Sequence, residues 1–217
     1  MKQKQNIVLL PKKNEYILKA YTPRTTIKYR CVNSFLETQC LSKYVNKSYF
    51  DGLCKIGCPN YGNKWSCPPY SPDYHCFVKN YRYIDVIMLS AKMEAFSYIR
   101  QDYLKIKAAN SMLKSRIDKA LRLCLDHDEF YISTGSCRLC KPCKKKVNEK
   151  CAHPTKRSYS FEALGINVSA LTKDLFDTEL LWYKKHELPE YTCVVGGLLT
   201  NRKEVGDKII TQLIYLK

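Results

Sequence analysis

Several things are scarce in this sequence, and each scarcity closes a class of function. No apolar run approaches the roughly 20 residues that a bilayer-spanning helix needs. Histidines number four (His75, His127, His153 and His186), and none falls at H-x3–5-H or H-E-x-x-H spacing, so the common histidine-based zinc sites are excluded. There is no P-loop, no G-x-G-x-x-G and no G-x-S-x-G, which removes the usual nucleotide-binding and serine-hydrolase signatures. Repeats and low-complexity linkers are absent. The opening "MKQKQNIVLLPKKNEY" is basic, but its apolar stretch "IVLL" is too short for a secretory signal, which points to a cytoplasmic protein with no membrane association.

What remains is globular and rich in sulfur. Of 217 residues, 45% are apolar and 12% aromatic, and twelve are cysteines. A secreted disulfide scaffold is one way to use twelve cysteines. It fits poorly with a chain large enough to build its own core and with seven cysteines crowded into two tight groups. In a reducing compartment such groups bind metal. The charge of +17, from 37 basic and 20 acidic residues, suits a nucleic-acid partner, an acidic protein partner or a solvated lysine-rich surface.

Periodicity outlines the fold. "NIVLLPKKNEYILKAYT" reads as two strands around a Pro-Lys-Lys-Asn turn, and residues 31–50 carry no clear pattern. From Asp51 to Tyr74 glycines and prolines predict loop. "IDVIMLSA" (84–91) is a buried strand. Ile99, Tyr103, Ile106, Asn110, Leu113, Ile117, Ala120 and Cys124 recur at steps of four and three, a helix with one buried stripe and Lys105, Lys107, Lys114, Lys119 and Arg122 mostly off it. "EFYISTG" (129–135) alternates as a strand, residues 160–176 hold one or two short helices capped by Asn167 or Ser169, and "YTCVVGGLLT" (191–200) is a further strand. Its glycine pair marks a bulge or close packing, and the tail "KIITQLIYLK" fits helix or strand. Cys124 and Cys193 fall at core positions. The order predicts an α/β or α+β fold with a central mixed sheet, flanking helices and two cysteine-rich metal-binding loops. We divide it into an N-terminal elaboration with a hairpin (1–50) and a cysteine-rich α/β domain (51–217).

The two cysteine groups carry the chemistry. In "GSCRLCKPCKKKVNEKCAHP" (135–154), Cys137, Cys140 and Cys143 run at steps of three, with Cys151 beyond. Zinc sites favour separated pairs, whereas successive steps of three resemble ferredoxin runs, in which each iron of a [4Fe-4S] cubane takes its own thiolate. The longer gap before Cys151 departs from the ferredoxin pattern, and zinc, held by four thiolates or by three and His153, stays the alternative. Arg138, Lys141, Lys144, Lys145, Lys146, Lys150, Lys156 and Arg157 crowd this loop. They can balance an anionic cluster or dock an acidic redox partner. No aromatic residue interleaves them from Arg138 to Arg157, which argues against a nucleic-acid surface.

The other group, Cys54, Cys58 and Cys67 in "CKIGCPNYGNKWSCPPYSP" (54–72), supplies three thiols without an obvious fourth. Cys76, Cys31, Cys40 and His75 are candidates, or the position is open. An open iron binds substrate as a Lewis acid, and a closed site moves electrons or holds structure. Tyr61, Trp65 and Tyr70 read as shields against water.

Together, "CPNYGNKWSCPPYSP", "GSCRLCKPC" and "CAHPTKRSYSFEALGINVSAL" resemble the bacterial and archaeal family known as domain of unknown function 2284, described as predicted metal-binding proteins. The resemblance spans roughly residues 50 to 200 and implies that Cys54, Cys58, Cys67, Cys137, Cys140, Cys143 and Cys151 are metal ligands. It implies no reaction. Three functions follow as expectations: an iron–sulfur protein with up to two [4Fe-4S] clusters in electron transfer or low-potential reduction; an enzyme with an open three-cysteine cluster; and a zinc-stabilised nucleic-acid binder.

Overall fold

The computed structural model describes residues 13–126, 128–183, 187–203 and 207–216. Five strands, β1 (Lys13–Tyr21), β2 (Thr26–Glu37), β3 (Tyr83–Lys92), β4 (Phe130–Ile132) and β5 (Tyr191–Thr200), form one sheet in the order β1-β2-β3-β5-β4. Among the described residues five α-helices accompany it: α1 (Lys47–Gly57), α2 (Tyr74–Val78), α3 (Asp102–Leu123), α4 (Val168–Phe176) and α5 (Lys208–Tyr215). This is the α+β alternative. All four strand ladders among the described residues are antiparallel, so the sheet is not mixed, and an isolated bridge between Ile132 and Tyr159 is parallel.

β3 is buried along nearly all its length and mostly apolar because both its faces are covered. Ile87, Leu89 and Ala91 meet α3 and α5, while Ile84, Val86 and Met88 meet α2, α4 and the turns around them. α3 begins at Asp102, and its buried residues start only at Ala109. Its first turns overhang the sheet, which leaves Tyr103 at the head of the predicted stripe 58% exposed. Leu113, Ile117, Ala120 and Cys124 are buried as the stripe predicts. Gly196 and Gly197 lie in unbroken register with β3. A Cβ on Gly196 would sit 3.0 Å from the Ile132 carbonyl oxygen, and one on Gly197 would sit 3.2 Å from Phe161. The pair therefore serves close packing and makes no bulge.

The hairpin is β1–β2, turning through Thr22–Thr25, where the Thr25 N–H donates to Thr22 Oγ1 at 3.0 Å. It lies one strand later than expected, and the "NIVLL" stretch falls outside the described residues. The unpatterned region 31–50 resolves into the end of β2, a 3-10 turn (Thr38–Tyr44) and the start of α1.

Under α3 and α5 the sheet buries a carboxyl group. Asp85 accepts from Asn33 Nδ2 at 3.0 and 3.1 Å and is otherwise enclosed by core, so burial pushes its pKa up to about 7. The folded chain thus holds a proton that the unfolded chain releases near pH 4. Stability is fully present below that point and falls as pH rises to about 7, by as much as about 4 kcal/mol. Asp85→Asn is expected to flatten this decline in urea unfolding measured from pH 4 to pH 8; a slope unchanged by the substitution would contradict it.

Candidate metal centre

The first cysteine group is carried by α1, which replaces the loop expected from Asp51 to Gly57. Its signals are local. Asn46 Oδ1 caps the helix by accepting the Tyr49 N–H at 3.2 Å, and Lys47 pairs with Asp51 at i,i+4. Gly52 and Gly57 masked these signals in the sequence. No residue of α1 is buried, so its ends hold it in place. The Asn46 N–H donates to the Gly165 carbonyl at 2.7 Å, and Lys47 Nζ reaches Ser71 as well as Asp51. A Cβ on Gly52 would meet nothing within 4 Å. Gly52→Ala is therefore expected to stabilise the protein by about 0.5–1 kcal/mol in urea unfolding, and a loss of stability would refute this account of α1.

α1 delivers Cys54 in its last turn and Cys58 at its C-cap, and the chain then winds through tight turns to Cys67. Cys67 is 6% exposed, its N–H donates to the Lys64 carbonyl, and its own carbonyl accepts from Tyr70 and Ser71. The structure brings these three thiols into mutual influence. Burial, then the charges of Cys58, Cys67, Asp51 and Glu162, raise the Cys54 pKa to about 11. Burial also raises Cys67, opposed by the Ser66 hydroxyl, and the charges of Cys58 and Cys143 add to the rise. Thiols of this kind keep their protons at neutral pH, so metal capture would release protons and strengthen with pH.

Cys137, Cys140, Cys143 and Cys151 are all half-buried. Cys143 precedes a 3-10 turn of lysines, Lys144–Val147, which ends at Asn148 in the left-handed region (φ 57°). Cys137 and Cys151 both lie close enough to Tyr159 to raise its pKa, behind the larger effect of burial, and Lys144 is raised chiefly by Glu149, with Cys140 adding to the rise. The two cis peptide bonds, Pro68–Pro69 and Lys141–Pro142, fall inside the two cysteine loops.

The loops are clasped to each other. The Cys137 N–H donates to Ser66 Oγ at 3.0 Å, Lys64 Nζ to Ser136 Oγ at 2.8 Å, and Trp65 Nε1 to the Glu149 carbonyl at 2.9 Å. Lys145 sits over the rings of Trp65 (5.0 Å) and Tyr70 (4.6 Å), which meet edge to face. Trp65 and Tyr70 therefore bind the loops together through a lysine, a role not visible in the sequence. Ser66, Lys64 and Glu149 were missed because a lone serine, lysine or glutamate carries no signal for a partner about seventy residues away.

All twelve cysteines are free thiols. Soft thiols in this number suit zinc or iron–sulfur chemistry, so the donor set fits a metal. The thiols are neighbours and not a closed cage: among the described residues no three His, Cys, Asp or Glu side chains gather around one point as a single ion requires. Binding would have to draw the loops inward. Of the candidate fourth ligands, Cys31 is fully buried in the core under α3, Cys40 and Cys76 are exposed on the 3-10 turn after β2 and on α2, and His75 is exposed on α2. His153 is exposed, and His127 and His186 lie outside the described residues. Cys193 is half-buried beside the core of the second face, with its pKa raised to about 11 by burial.

Fold and thiols define a class, the α+β proteins with an antiparallel sheet and cysteine-rich loops joined to each other. The chain belongs to the family described as predicted metal-binding protein, domain of unknown function 2284, whose model matches residues 41–199. No curated protein and no solved structure shows significant similarity to it. Among the described residues no helix is long and apolar enough to cross a membrane.

Proposed function

We propose that this is a cytoplasmic iron–sulfur protein carrying up to two [4Fe-4S] clusters, acting in electron transfer or a low-potential reduction. The observation that supports it best is the clasp, which ties the two cysteine loops together through Ser66 and the Cys137 N–H, with Cys143 close enough to act on Cys67. Cys137, Cys140, Cys143 and Cys151 would hold one cluster, and Cys54, Cys58 and Cys67 three corners of the other. A cluster would supply one-electron chemistry at a potential tuned by burial and nearby charge. The chain's own part is to exclude water through the buried Cys67 turn and the Trp65–Tyr70 pair. It also sets a cation, Lys64, close enough to act on Cys67, and it leaves a basic surface for an acidic redox partner. Protein purified without air should be brown and contain iron and acid-labile sulfide in equal amounts, with a paramagnetic signal on reduction. Colourless protein holding zinc alone would overturn the proposal.

One observation favours a catalytic version. Glu162, whose charge acts on Cys54, also lines a cavity of about 340 Å³ with Lys114, Trp182 and Cys193. An open fourth position in the first group would then face a space for a small substrate, with Glu162 able to hold or pass a proton. A fourth protein ligand on every iron would exclude this version.

A further inference from the structure

Beside the second cysteine loop, α3 presents a polar stripe to a cavity of about 490 Å³. Ser111, Ser115, Asp118 and Arg122 recur at steps of four, three and four, which puts them on one face of the helix. The facing wall comes from the chain leaving β4 and from the loop beyond it: Ser133, Ser136, Arg138 and Ser158, the last 3% exposed.

The charges in this cavity are unbalanced. Arg122 and Arg138 bring two guanidinium groups, and neither pairs with a described acid. Asp118 is the one carboxylate in the lining, and its Oδ1 is already taken by the N–H and the hydroxyl of Thr134, both at 3.1 Å. Lys64 Nζ donates to Ser136 Oγ at 2.8 Å, which adds a third cation at the rim and leaves the Ser136 O–H free to donate. Planar guanidinium forks match tetrahedral oxyanions in a bidentate manner, and the Ser136 hydroxyl can add a donor, whereas the Ser133 O–H is already given to the Gly135 carbonyl at 2.7 Å. Arg122 and Arg138 are both exposed, and both line this one concavity.

We propose that this cavity binds a phosphate-class oxyanion, either free or as the terminal group of a small phosphorylated molecule. The site requires no metal. The test is calorimetric titration of the whole protein with inorganic phosphate, glycerol phosphate and a nucleoside monophosphate at constant ionic strength set by chloride. Saturable binding at one site is expected, weakened about tenfold or more by Arg122→Gln or Arg138→Gln. Arg122→Lys should recover part of the loss. Arg24→Gln, which removes an exposed cation in the β1–β2 turn, should change nothing. Ser115→Asp, on an exposed position of α3, should abolish binding and carries the test if a substitution at Arg138 disturbs the loop. Tighter binding of an ester assigns a phosphorylated molecule and equal binding assigns the free anion; both uphold the site. Absence of saturable binding by the folded protein, or equal weakening by Arg24→Gln and Arg122→Gln, would overturn it.

Discussion

Gly165→Ala is expected to lower stability by about 3 kcal/mol or more, a large effect for the addition of one methyl group. Gly165 has φ +88°, where a Cβ is strained in its own right. Its surroundings offer no relief. An added Cβ would lie 2.6 Å from Lys47 Cα and 2.9 Å from Lys47 N, which are backbone atoms of the first turn of α1. Here two segments cross: the Asn46 N–H donates to the Gly165 carbonyl, the Asn167 N–H to the Tyr44 carbonyl, and Val45 bridges Ile166. Relieving the clash means moving α1, and α1 carries Cys54 and Cys58. The same variant should therefore bind less metal at the first cysteine group while the second keeps its share. Urea unfolding and metal analysis on one preparation read both effects, with Gly52→Ala as the matched control. A shift below about 1 kcal/mol would show that α1 is not anchored at this crossing.

Cys67→Ala and Cys137→Ala, made separately, are each expected to remove one cluster's absorbance and paramagnetic signal and to halve the iron bound per chain. Cys67 is the most buried thiol of its group, and Cys137 is the thiol whose backbone the clasp holds. In the proposed clusters, losing either would leave an iron corner without its thiolate. If either variant keeps both signals, the division of seven thiols into three and four is wrong. If either loses both, the two loops hold a single shared centre.

Much of this architecture is written in local pattern. β3 and β5 follow from continuous apolar runs, because strands covered on both faces show no alternation. α4 follows from Asn167, whose Oδ1 accepts the Ala170 N–H at 3.0 Å. The inner half of α3 follows from its stripe, while the outer half does not, because periodicity cannot show where a helix leaves the sheet beneath it. α1 was hidden by glycines that proved compatible with a helix supported at its ends. At the candidate site, spacing singled out the thiols, but the contacts joining the two loops span about seventy residues and depend on single side chains such as Ser66 and Lys64. The oxyanion cavity was half legible: the serine–arginine face of α3 is periodic, yet it reads as solvated surface until β4 and the following loop close over it.

The clasp has a thermodynamic corollary. Because Ser66 tethers Cys137 and Lys145 pins Trp65 and Tyr70, the two sulfur-bearing stretches are joined, and in the proposed protein they would load as one body. Whichever stretch is loaded first takes away chain freedom that the other would otherwise surrender on its own, so the second uptake step should be the easier one. Loading would then be cooperative, giving an isotherm steeper than two independent sites allow and few half-filled molecules along the way.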